Sequence, residues 1–393
     1  MPPVVSHRGS SLPDSIFRSI PLPLPVPDWS KPIILALLLV ALAFGVRARV
    51  SSLRARRLEQ RQRALATDLA ALQSVLVPEV PSLLGELEIS VAYRPADGPA
   101  AGGDFYDVFE LDRGRVAIVL GDVSGHGRAA LARAARMRFT VRAYIEAGLE
   151  PREALKLASR AIGASPDGLF TTVAVAIHDP ETGSLTYATA GHHGPLTGGG
   201  RSHEPLSSYP SPPLGWGMPC GRRQTTISFP RAARACFFSD GLIEARTDGG
   251  LLGRGALATI FEALEGEPAA AGLLREVEAR ADEIRDDMAA CIVTARGGTV
   301  SADAPVRREE LELDLEQLAL DHTERFLREC ELSEPGIAAA LAKAEATASE
   351  HGVALLVIRF PERAWTVTPG LPALPGLAAA LDARQPMAAS SVS

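Results

Sequence analysis

Cysteine is scarce in this chain of 393 residues, since only four occur and no two of them form a C-x-x-C pair. This usage indicates reduced, cytosolic thiols and offers no structural zinc signature. Positive charge is also in deficit, because the formal net charge is −7, which argues against a general nucleic-acid binder. The hydrophobic content of 46% and the charged content of 22% are ordinary for a globular protein. The length suits about two to three domains.

Long apolar runs are missing except for one near the N-terminus. Residues 1–31 are rich in proline and serine and are predicted to be disordered. Residues 32–46 then carry no charge, and as a helix they would span about 22 Å of a hydrocarbon core of about 30 Å. Seven arginines follow between Arg47 and Arg63. We therefore predict a single-pass anchor in the cell membrane over residues 32–50, with the C-terminal bulk in the cytoplasm. A secretory signal peptide and a buried soluble helix are the alternatives.

Proline and glycine are absent from the next stretch, which is rich in arginine, leucine, alanine, glutamine and glutamate. Two seams of seven-residue spacing run through it, formed by Leu58, Leu65 and Leu72 and by Gln62, Leu69 and Leu76. This pattern covers about three heptads and predicts a helical linker and coiled coil over residues 51–78, with a homodimer formed through this helix. An amphipathic helix that packs on its own domain is the alternative.

Eight strand-like segments separated by turn signals follow. They cover residues 88–93, 107–111, 116–120, 170–178, 185–190, 225–229, 235–239 and 289–295. Two helix-like stretches, residues 129–148 and 151–162, lie between the third and fourth segments. Helices grouped between runs of strands indicate an α+β fold with antiparallel sheets and helices packed outside them.

Aspartates recur at the ends of these strands, and three of the four touch a glycine. The set consists of Asp104, Asp122, Asp240 and Asp286. A carboxylate at the mouth of a buried strand is costly unless a cation or hydrogen bonds accept it. Mg²⁺ and Mn²⁺ prefer carboxylate, carbonyl and water oxygens. If the strands lie side by side, these carboxylates converge and predict a divalent metal site. The alternative is that they are solvated acids in turns.

The motifs around these aspartates resemble those of the PPM-type serine/threonine phosphatases, and within them the SpoIIE/RsbU branch of bacterial partner-switching regulators. In chain order they read G-G-D-F-Y-D, G-D-V-S-G-H-G, F-T-T-V-A-V-A-I, A-G-H, S-D-G-L and D-D-M. The resemblance covers about residues 70–296. For a domain over residues 79–298 it implies a β-sandwich of two antiparallel sheets flanked by helices, with two Mn²⁺ or Mg²⁺ ions.

The resemblance also implies a role for each acidic residue. Asp122 would bridge both metal ions, while Asp240 and Asp286 would complete one of them. Asp104 and the backbone carbonyl of Val123 would serve the other ion. The four aspartates are thus the predicted catalytic residues, and the implied reaction is hydrolysis of phosphoserine or phosphothreonine by a metal-activated water. In this branch the substrate is usually a phosphorylated STAS-domain anti-sigma-factor antagonist. A catalytically silent scaffold that binds sigma-factor regulators is the alternative.

Two departures from the family pattern leave the proposed ligands intact. Ala289 stands where the family commonly has threonine, and residues 230–234 replace a P-G-D turn. Three histidines, His126, His192 and His193, invite a role as acids or metal ligands. Because the carboxylate set alone satisfies the metals, we favour the alternative that these histidines orient ligands or fix loops.

A second resemblance, to the GHKL-type anti-sigma kinase ATPases, covers residues 305–380. The predicted order of elements is a strand near 310–315, a helix at 316–331, a helix at 334–351 and a strand at 354–360. Ser349 would occupy the position of the metal-binding asparagine of that family. Its nucleotide loop would fall on residues 368–372, which lack the aspartate that reads adenine, and whose two prolines leave fewer N–H donors for phosphates.

These departures predict a degenerate, ATP-incompetent module that binds a partner. An unrelated small α/β regulatory domain is the alternative. The tail over residues 381–393 is predicted to be disordered.

Overall fold

The computed structural model describes residues 30, 33–47, 49, 77–95, 103–125, 127–166, 168–199, 203–206, 211–264, 269–297 and 306–370. The predicted disordered tail over residues 381–393 lies outside this set, as do His126 and nearly all of the predicted disordered segment 1–31 and coiled coil 51–78. The chain divides into two compact units, Met1–Asp68 and Leu69–Ser393.

The described part of the first unit is mainly a helix over residues 33–47. Many of its large apolar side chains are exposed, among them Leu37, Leu42 and Phe44. Among the described residues, no helix combines the length and the apolar character that crossing a membrane requires. The anchor over residues 32–50 therefore stays a prediction.

The second unit contains the strands. Its described residues form β1 Leu83–Leu84, β2 Leu87–Arg94, β3 Phe105–Glu110, β4 Val116–Val123, β5 Thr171–Asp179, β6 Ser184–Ala190, β7 Leu196–Gly198, β8 Arg223–Ser228, β9 Arg234–Phe238, β10 Arg246–Thr247, β11 Gly250–Leu251, β12 Met288–Ala295, β13 Arg307–Leu313, β14 Ala354–Phe360 and β15 Ala364–Pro369. Every strand predicted from the sequence overlaps one of these. The strands that sequence reasoning missed, β1, β7, β10, β11 and β15, are short or lie at an edge or in a hairpin.

The helices of the second unit follow the same chain order. They are α1 Arg128–Glu146, α2 Pro151–Ile162, α3 Gly241–Glu244, α4 Gly253–Ala263, α5 Ala269–Glu278, α6 Leu315–Leu318, α7 Asp321–Glu329 and α8 Glu334–His351. Pro151 lies in the first turn of α2, where a missing N–H leaves no intrahelical bond unmade. Helices α4 and α5 are not among the predicted elements, although their buried residues recur at helical spacing, for example Leu273, Leu274 and Val277.

Two antiparallel sheets form a sandwich, as the α+β prediction requires. One sheet has the strand order β1-β2-β12-β9-β7, and the other has the order β15-β14-β13-β8-β6-β5-β4-β3. Ile118 and Leu120 of β4 belong to the apolar cluster between the sheets, together with Cys291 of β12. Their neighbours Ala117 and Val119 pack with α1 and α2 on the outer face. Because both faces of β4 are covered, its sequence is an unbroken apolar run.

Helices α4 and α5 cover the outer face of the five-stranded sheet. Phe261 and Leu273 pack there in one buried cluster with Phe238 of β9 and Ile292 of β12. The result is four layers, helix, sheet, sheet and helix, with the strand ends free to form a site at the edge of the sandwich.

The C-terminal strands continue the larger sheet. Strand β13 pairs antiparallel with β8, with Arg307 opposite Ile227 and Leu311 opposite Arg223, and β14 and β15 follow outward. The predicted helix at 334–351 and strand at 354–360 agree in both ends with α8 and β14. The described strands β13, β14 and β15 share one sheet with the strands that precede them. The predicted separate domain over residues 305–380 stays a prediction.

Buried charges hold β13 to the rest of the sandwich. Arg152 of α2, which is 5% exposed, lies 3.3 Å from Glu312 and 3.5 Å from Glu310. On the other face of β13, Glu309 accepts a hydrogen bond of 2.8 Å from Thr225 of β8. All three glutamates are buried. Each of these buried carboxylates is therefore paired with an opposite charge or a hydrogen-bond donor, which offsets the cost of its burial.

The positions expected to bind nucleotide by the GHKL resemblance lie on regular elements. Ser349 is exposed near the C-terminal end of α8. Thr368 and Pro369 are the last residues of β15, the outermost strand of the sheet, rather than part of a glycine-rich loop. The prediction that this region does not bind ATP stays a prediction.

His178 of β5 is a polar residue in the apolar layer between the sheets. It is fully buried, it lies edge-on to Phe229 at 5.7 Å, and neither ring nitrogen has a hydrogen-bond partner among the described protein atoms. Burial lowers the pKa of His178 from its usual value of about 6.5 to about 4. The unfolded chain thus takes up a proton between pH 6.5 and 4 that the folded chain does not, so this group destabilises the fold as the pH falls through that window.

Replacing this histidine by leucine is expected to stabilise the protein. His178→Leu removes two unsatisfied polar atoms and should raise the free energy of unfolding at pH 7 by about 1 kcal/mol. It should also flatten the loss of stability between pH 6.5 and 4. Urea unfolding across this pH range measures both effects. The exposed His351, whose side chain is 42% accessible, supplies the control His351→Leu, and an equal gain in both variants would refute the assignment.

Candidate functional site

Antiparallel pairing brings the four predicted aspartates to one end of each sheet. In the larger sheet Phe105 lies opposite Gly121, so Asp104 before β3 stands beside Asp122 near the end of β4. In the smaller sheet Phe238 lies opposite Ala290. The end of β9, where Asp240 follows, therefore meets the start of β12, which Asp286 precedes.

The pKa values of three of these carboxylates are raised, in part because acidic neighbours from both sheets lie close to them. Burial, and then the charges of Asp240 and Asp286, raise the pKa of Asp122 to about 7. Burial also raises the pKa of Asp104 well above its usual range, with the charge of Asp122 as the next cause. The pKa of Asp240 rises to about 6, first through burial and then through Asp286. The structure thus gathers all four predicted residues into one acidic centre.

The four aspartates of this acidic centre differ in how far their side chains are buried. Asp104 is 3% exposed, Asp122 and Asp240 are partly buried, and Asp286 is exposed. The centre therefore has a closed side at β3 and an open side at the start of β12.

The acidic centre fits a divalent cation by the chemistry of its donors. The Oδ2 atom of Asp104 is buried and has no hydrogen-bond partner among the described protein atoms. Such an atom, together with carboxylates that disfavour one another's charge, is stabilised when a cation accepts them. Among the described residues, no three acidic, histidine or cysteine side chains already lie close enough to hold one ion.

Two glycines allow the backbone segments of the acidic centre to touch. A Cβ atom on Gly103 would lie 2.1 Å from the carbonyl oxygen of Val123 and 2.7 Å from Oδ1 of Asp122. A Cβ atom on Gly241 would lie 2.1 Å from the carbonyl oxygen of Asp287. Backbone atoms cannot move aside as a flexible side chain does. Glycine is therefore sterically required at position 103, next to Asp104, and at position 241, next to Asp240. The first contact also places the Val123 carbonyl, a predicted ligand, beside the loop that carries Asp104.

Asp287 belongs to the acidic centre and is absent from the predicted set. It is 2% exposed, accepts a hydrogen bond of 2.7 Å from Tyr93 Oη, and contributes to the raised pKa values of Asp104 and Asp122. The D-D pair in the sequence was a signal for it, but adjacent positions at a strand start point in different directions. Only the fold distinguishes the buried Asp287 from the exposed Asp286.

Two of the three histidines singled out by their motifs are described. The Nδ1 atom of His192 lies 2.9 Å from Thr172 Oγ1, and its Nε2 atom lies 3.0 Å from the carbonyl oxygen of Phe238. The ring of His193 stacks on the ring of Phe238 at 5.9 Å. These contacts agree with the interpretation that both residues fix loops rather than bind metal.

Comparison with known proteins agrees with this geometry. The family model of Stage II sporulation protein E (SpoIIE) matches residues 112–296. This part of the chain is a SpoIIE-family domain. The resemblance inferred from the motifs is thereby confirmed, and the antiparallel sheets with flanking helices are those of the PPM phosphatase fold.

Individual relatives of the SpoIIE-family domain are distant. Phosphoserine phosphatase RsbU of Bacillus subtilis (strain 168) is 26% identical over 195 residues, which are 48% of this chain and 56% of RsbU. The chain thus matches little more than half the length of that curated relative.

The fold of the SpoIIE-family domain is shared by a solved structure. The SiaA-PP2C domain of Pseudomonas aeruginosa is 18% identical, with a TM-score of 0.52 over 61% of this chain and 98% of that one. The RsbU and RsbW domains of Rv1364c from Mycobacterium tuberculosis are 24% identical, with a TM-score of 0.45 over 72% of this chain and 82% of that one.

Proposed function

We propose that this protein is a metal-dependent serine/threonine phosphoprotein phosphatase of a bacterial partner-switching pathway. The observation that carries the proposal is the convergence of the four aspartates at one end of both sheets, within a SpoIIE-family domain. Keeping several carboxylates together is costly for folding, since burial and neighbouring acids raise the pKa values of Asp104 and Asp122. A chain that keeps them there is expected to use them.

In this proposal the residues of the acidic centre hold two metal ions. Asp122 would hold two Mn²⁺ or Mg²⁺ ions between the sheets, with Asp240 and Asp286 on one ion. Asp104 and the Val123 carbonyl would hold the other. When bound, such ions neutralise phosphoryl oxygens and lower the pKa of a bound water.

The remaining polar groups of the acidic centre orient its ligands. Tyr93 fixes Asp287 through its hydroxyl. The hydroxyl of Ser239 accepts a hydrogen bond of 2.8 Å from the backbone N–H of Ala289 and donates one of 3.4 Å to the carbonyl oxygen of Asp287. Both groups therefore hold Asp287, which lies directly after Asp286.

Removal and return of the metal tests the phosphatase. The full-length chain, stripped with a chelator and dialysed, is expected to lose at least about 100-fold of its rate on p-nitrophenyl phosphate and on a phosphoserine peptide, or roughly 3 kcal/mol of transition-state stabilisation. Added Mn²⁺ or Mg²⁺ should restore the rate. The alternative, a catalytically silent scaffold, predicts no phosphate release with either metal, and that result would reject the enzyme.

The proposed substrate is a phosphorylated STAS-domain anti-sigma-factor antagonist. Support comes from the branch to which the domain is similar, since its curated relative RsbU is named a phosphoserine phosphatase. Mass spectrometry of a phosphorylated STAS-domain protein before and after incubation with the Mn²⁺-loaded chain measures loss of the phosphoryl group. An untouched phosphoserine, beside efficient hydrolysis of a generic phosphopeptide, would reject this substrate class.

The proposal also includes membrane attachment and dimerisation. Residues 32–50 would anchor the chain in the membrane with the catalytic domain in the cytoplasm, and residues 51–78 would form the dimer. Its support is the uncharged apolar run, the arginines that follow it, and the heptad spacing. Fractionation of cells followed by a carbonate wash tests attachment, and light scattering of the chain with and without residues 51–78 tests dimerisation. A chain found in the carbonate supernatant would reject the membrane anchor.

A further inference from the structure

One side chain joins the two sheets beside the acidic centre. His192 lies in the loop after β6, and its ring nitrogens contact Thr172 Oγ1 at 2.9 Å and the Phe238 carbonyl oxygen at 3.0 Å. Thr172 belongs to β5 in the larger sheet and lies directly opposite Asp122. Phe238 ends β9 in the smaller sheet, two residues before Asp240. We call this link the histidine clamp.

Hydrogen-bond chemistry fixes the form of the histidine clamp. A backbone carbonyl can only accept, so Nε2 of His192 carries the proton and donates it to Phe238. Nδ1 is then the acceptor, and the Thr172 hydroxyl donates to it. Desolvation of the ring, together with His193 beside it, lowers the pKa of His192 to about 4. The imidazole is therefore neutral at pH 7 and uses both of its nitrogens.

We infer that His192 is a positioning residue, which ties the strand opposite Asp122 to the strand end that leads to Asp240 and so sets the separation of the two carboxylates. The inference rests on the proposed function, because the separation matters only if these carboxylates share metal ions. Groups that orient metal ligands from behind typically change metal affinity or activity by about 10–100-fold when replaced. The histidine clamp would act at this level, without touching metal or substrate.

Three substitutions divide the histidine clamp into its two bonds. His192→Gln keeps a donor N–H at the distance of Nε2 but loses the acceptor for Thr172. Thr172→Val removes the same hydrogen bond from the other side with little change of shape. His192→Phe keeps a ring and removes both bonds. His351→Gln is the matched control, because it replaces an exposed histidine of α8 and leaves both bonds in place.

Calorimetric titration of the full-length, metal-stripped chain with Mn²⁺ is the main measurement. His192→Gln and Thr172→Val should each weaken Mn²⁺ binding by about 10-fold, and His192→Phe by about 100-fold. The double variant His192→Gln/Thr172→Val should bind like either single variant, because both remove one shared bond. The His351→Gln control should bind like the wild type. In steady-state kinetics kcat should fall while KM stays the same.

A nuclear magnetic resonance signature tests the histidine clamp without metal. In the ¹⁵N-histidine-labelled full-length chain at pH 7, His192 should give one protonated and one unprotonated ring nitrogen, with the proton on Nε2. The opposite tautomer would overturn the clamp. In Thr172→Val the proton should stay on Nε2, held by the Phe238 carbonyl, while the Nδ1 resonance shifts because its hydrogen bond is lost. An unchanged Nδ1 resonance would contradict the clamp.

The outcomes separate the two proposals. Folded His192→Gln and Thr172→Val variants that bind Mn²⁺ as tightly as the wild type would overturn the positioning role. A wild-type chain that binds Mn²⁺ but hydrolyses no phosphoester rejects the proposed phosphatase alone, since the comparison of affinities still stands. A wild-type chain that binds no Mn²⁺ rejects the metal site and the positioning role together.

Discussion

Asp122→Asn is expected to lower the Mn²⁺-dependent phosphatase rate of the full-length chain by at least about 100-fold. Asp122 is partly buried, its charge raises the pKa of Asp104 in its own sheet, and the charge of Asp240 from the other sheet raises its own pKa. An asparagine there keeps the size of the side chain but removes the charge that both proposed ions would share. The same change removes repulsion from the metal-free protein, so its free energy of unfolding should rise by about 1 kcal/mol. Initial rates at saturating Mn²⁺ and urea unfolding in chelator measure the two effects.

Asp248 offers a matched control for this substitution. It is an exposed aspartate followed by glycine, in the turn between β10 and β11, so it shares the local sequence of Asp240-Gly241 but lies outside the acidic centre. Asp248→Asn should leave both the rate and the stability within error of the wild type. A wild-type rate in Asp122→Asn would remove Asp122 from the reaction.

Arg152→Met is expected to lower the free energy of unfolding by about 3 kcal/mol. The guanidinium of Arg152 lies between Glu310 and Glu312 and is almost completely buried. Methionine fills a similar space but leaves two buried carboxylates with less positive charge around them. Lys156 still pairs with Glu312 and Arg308 with Glu310, which keeps the expected loss at the lower end for a broken buried ion pair. Chemical unfolding followed by circular dichroism measures the loss.

The control for this prediction is an ion pair on the surface. Arg280 pairs with Glu276 one helical turn away, and both side chains are 48% exposed. Because exposed pairs contribute little, Arg280→Met should change the free energy of unfolding by less than about 0.5 kcal/mol. Equal losses in the two variants would mean that the charges of β13 do not depend on Arg152 for their burial.

The acidic centre was largely predictable from sequence because its signals are local. Each aspartate sits where an apolar strand meets a glycine or a turn, and those rules act within a few residues. Asp287 escaped prediction because its burial depends on Tyr93, a residue 194 positions away in the chain. The contacts of His192 with Thr172 and Phe238 were equally invisible, since loop closure across two sheets leaves no periodic pattern.

The C-terminal third shows the same division between local and non-local information. Helix α8 and strand β14 follow from their own sequence, and both boundaries agree with the prediction. The pairing of β13 with β8 depends on a register between residues about 80 positions apart, and no pattern inside either strand specifies its neighbour. The sequence predicts the elements of this region but not that they extend an existing sheet.

The pairing of β13 with β8 has a consequence during synthesis on the ribosome. At roughly 5–20 residues per second, strand β8 emerges on the order of ten seconds before the strand that covers its edge. Throughout that interval the nascent sandwich presents an open row of peptide N–H and C=O groups to any other extended chain. Shielding of this exposed edge, or fast translation of the roughly 80 residues between β8 and β13, would therefore protect the growing chain from aggregation.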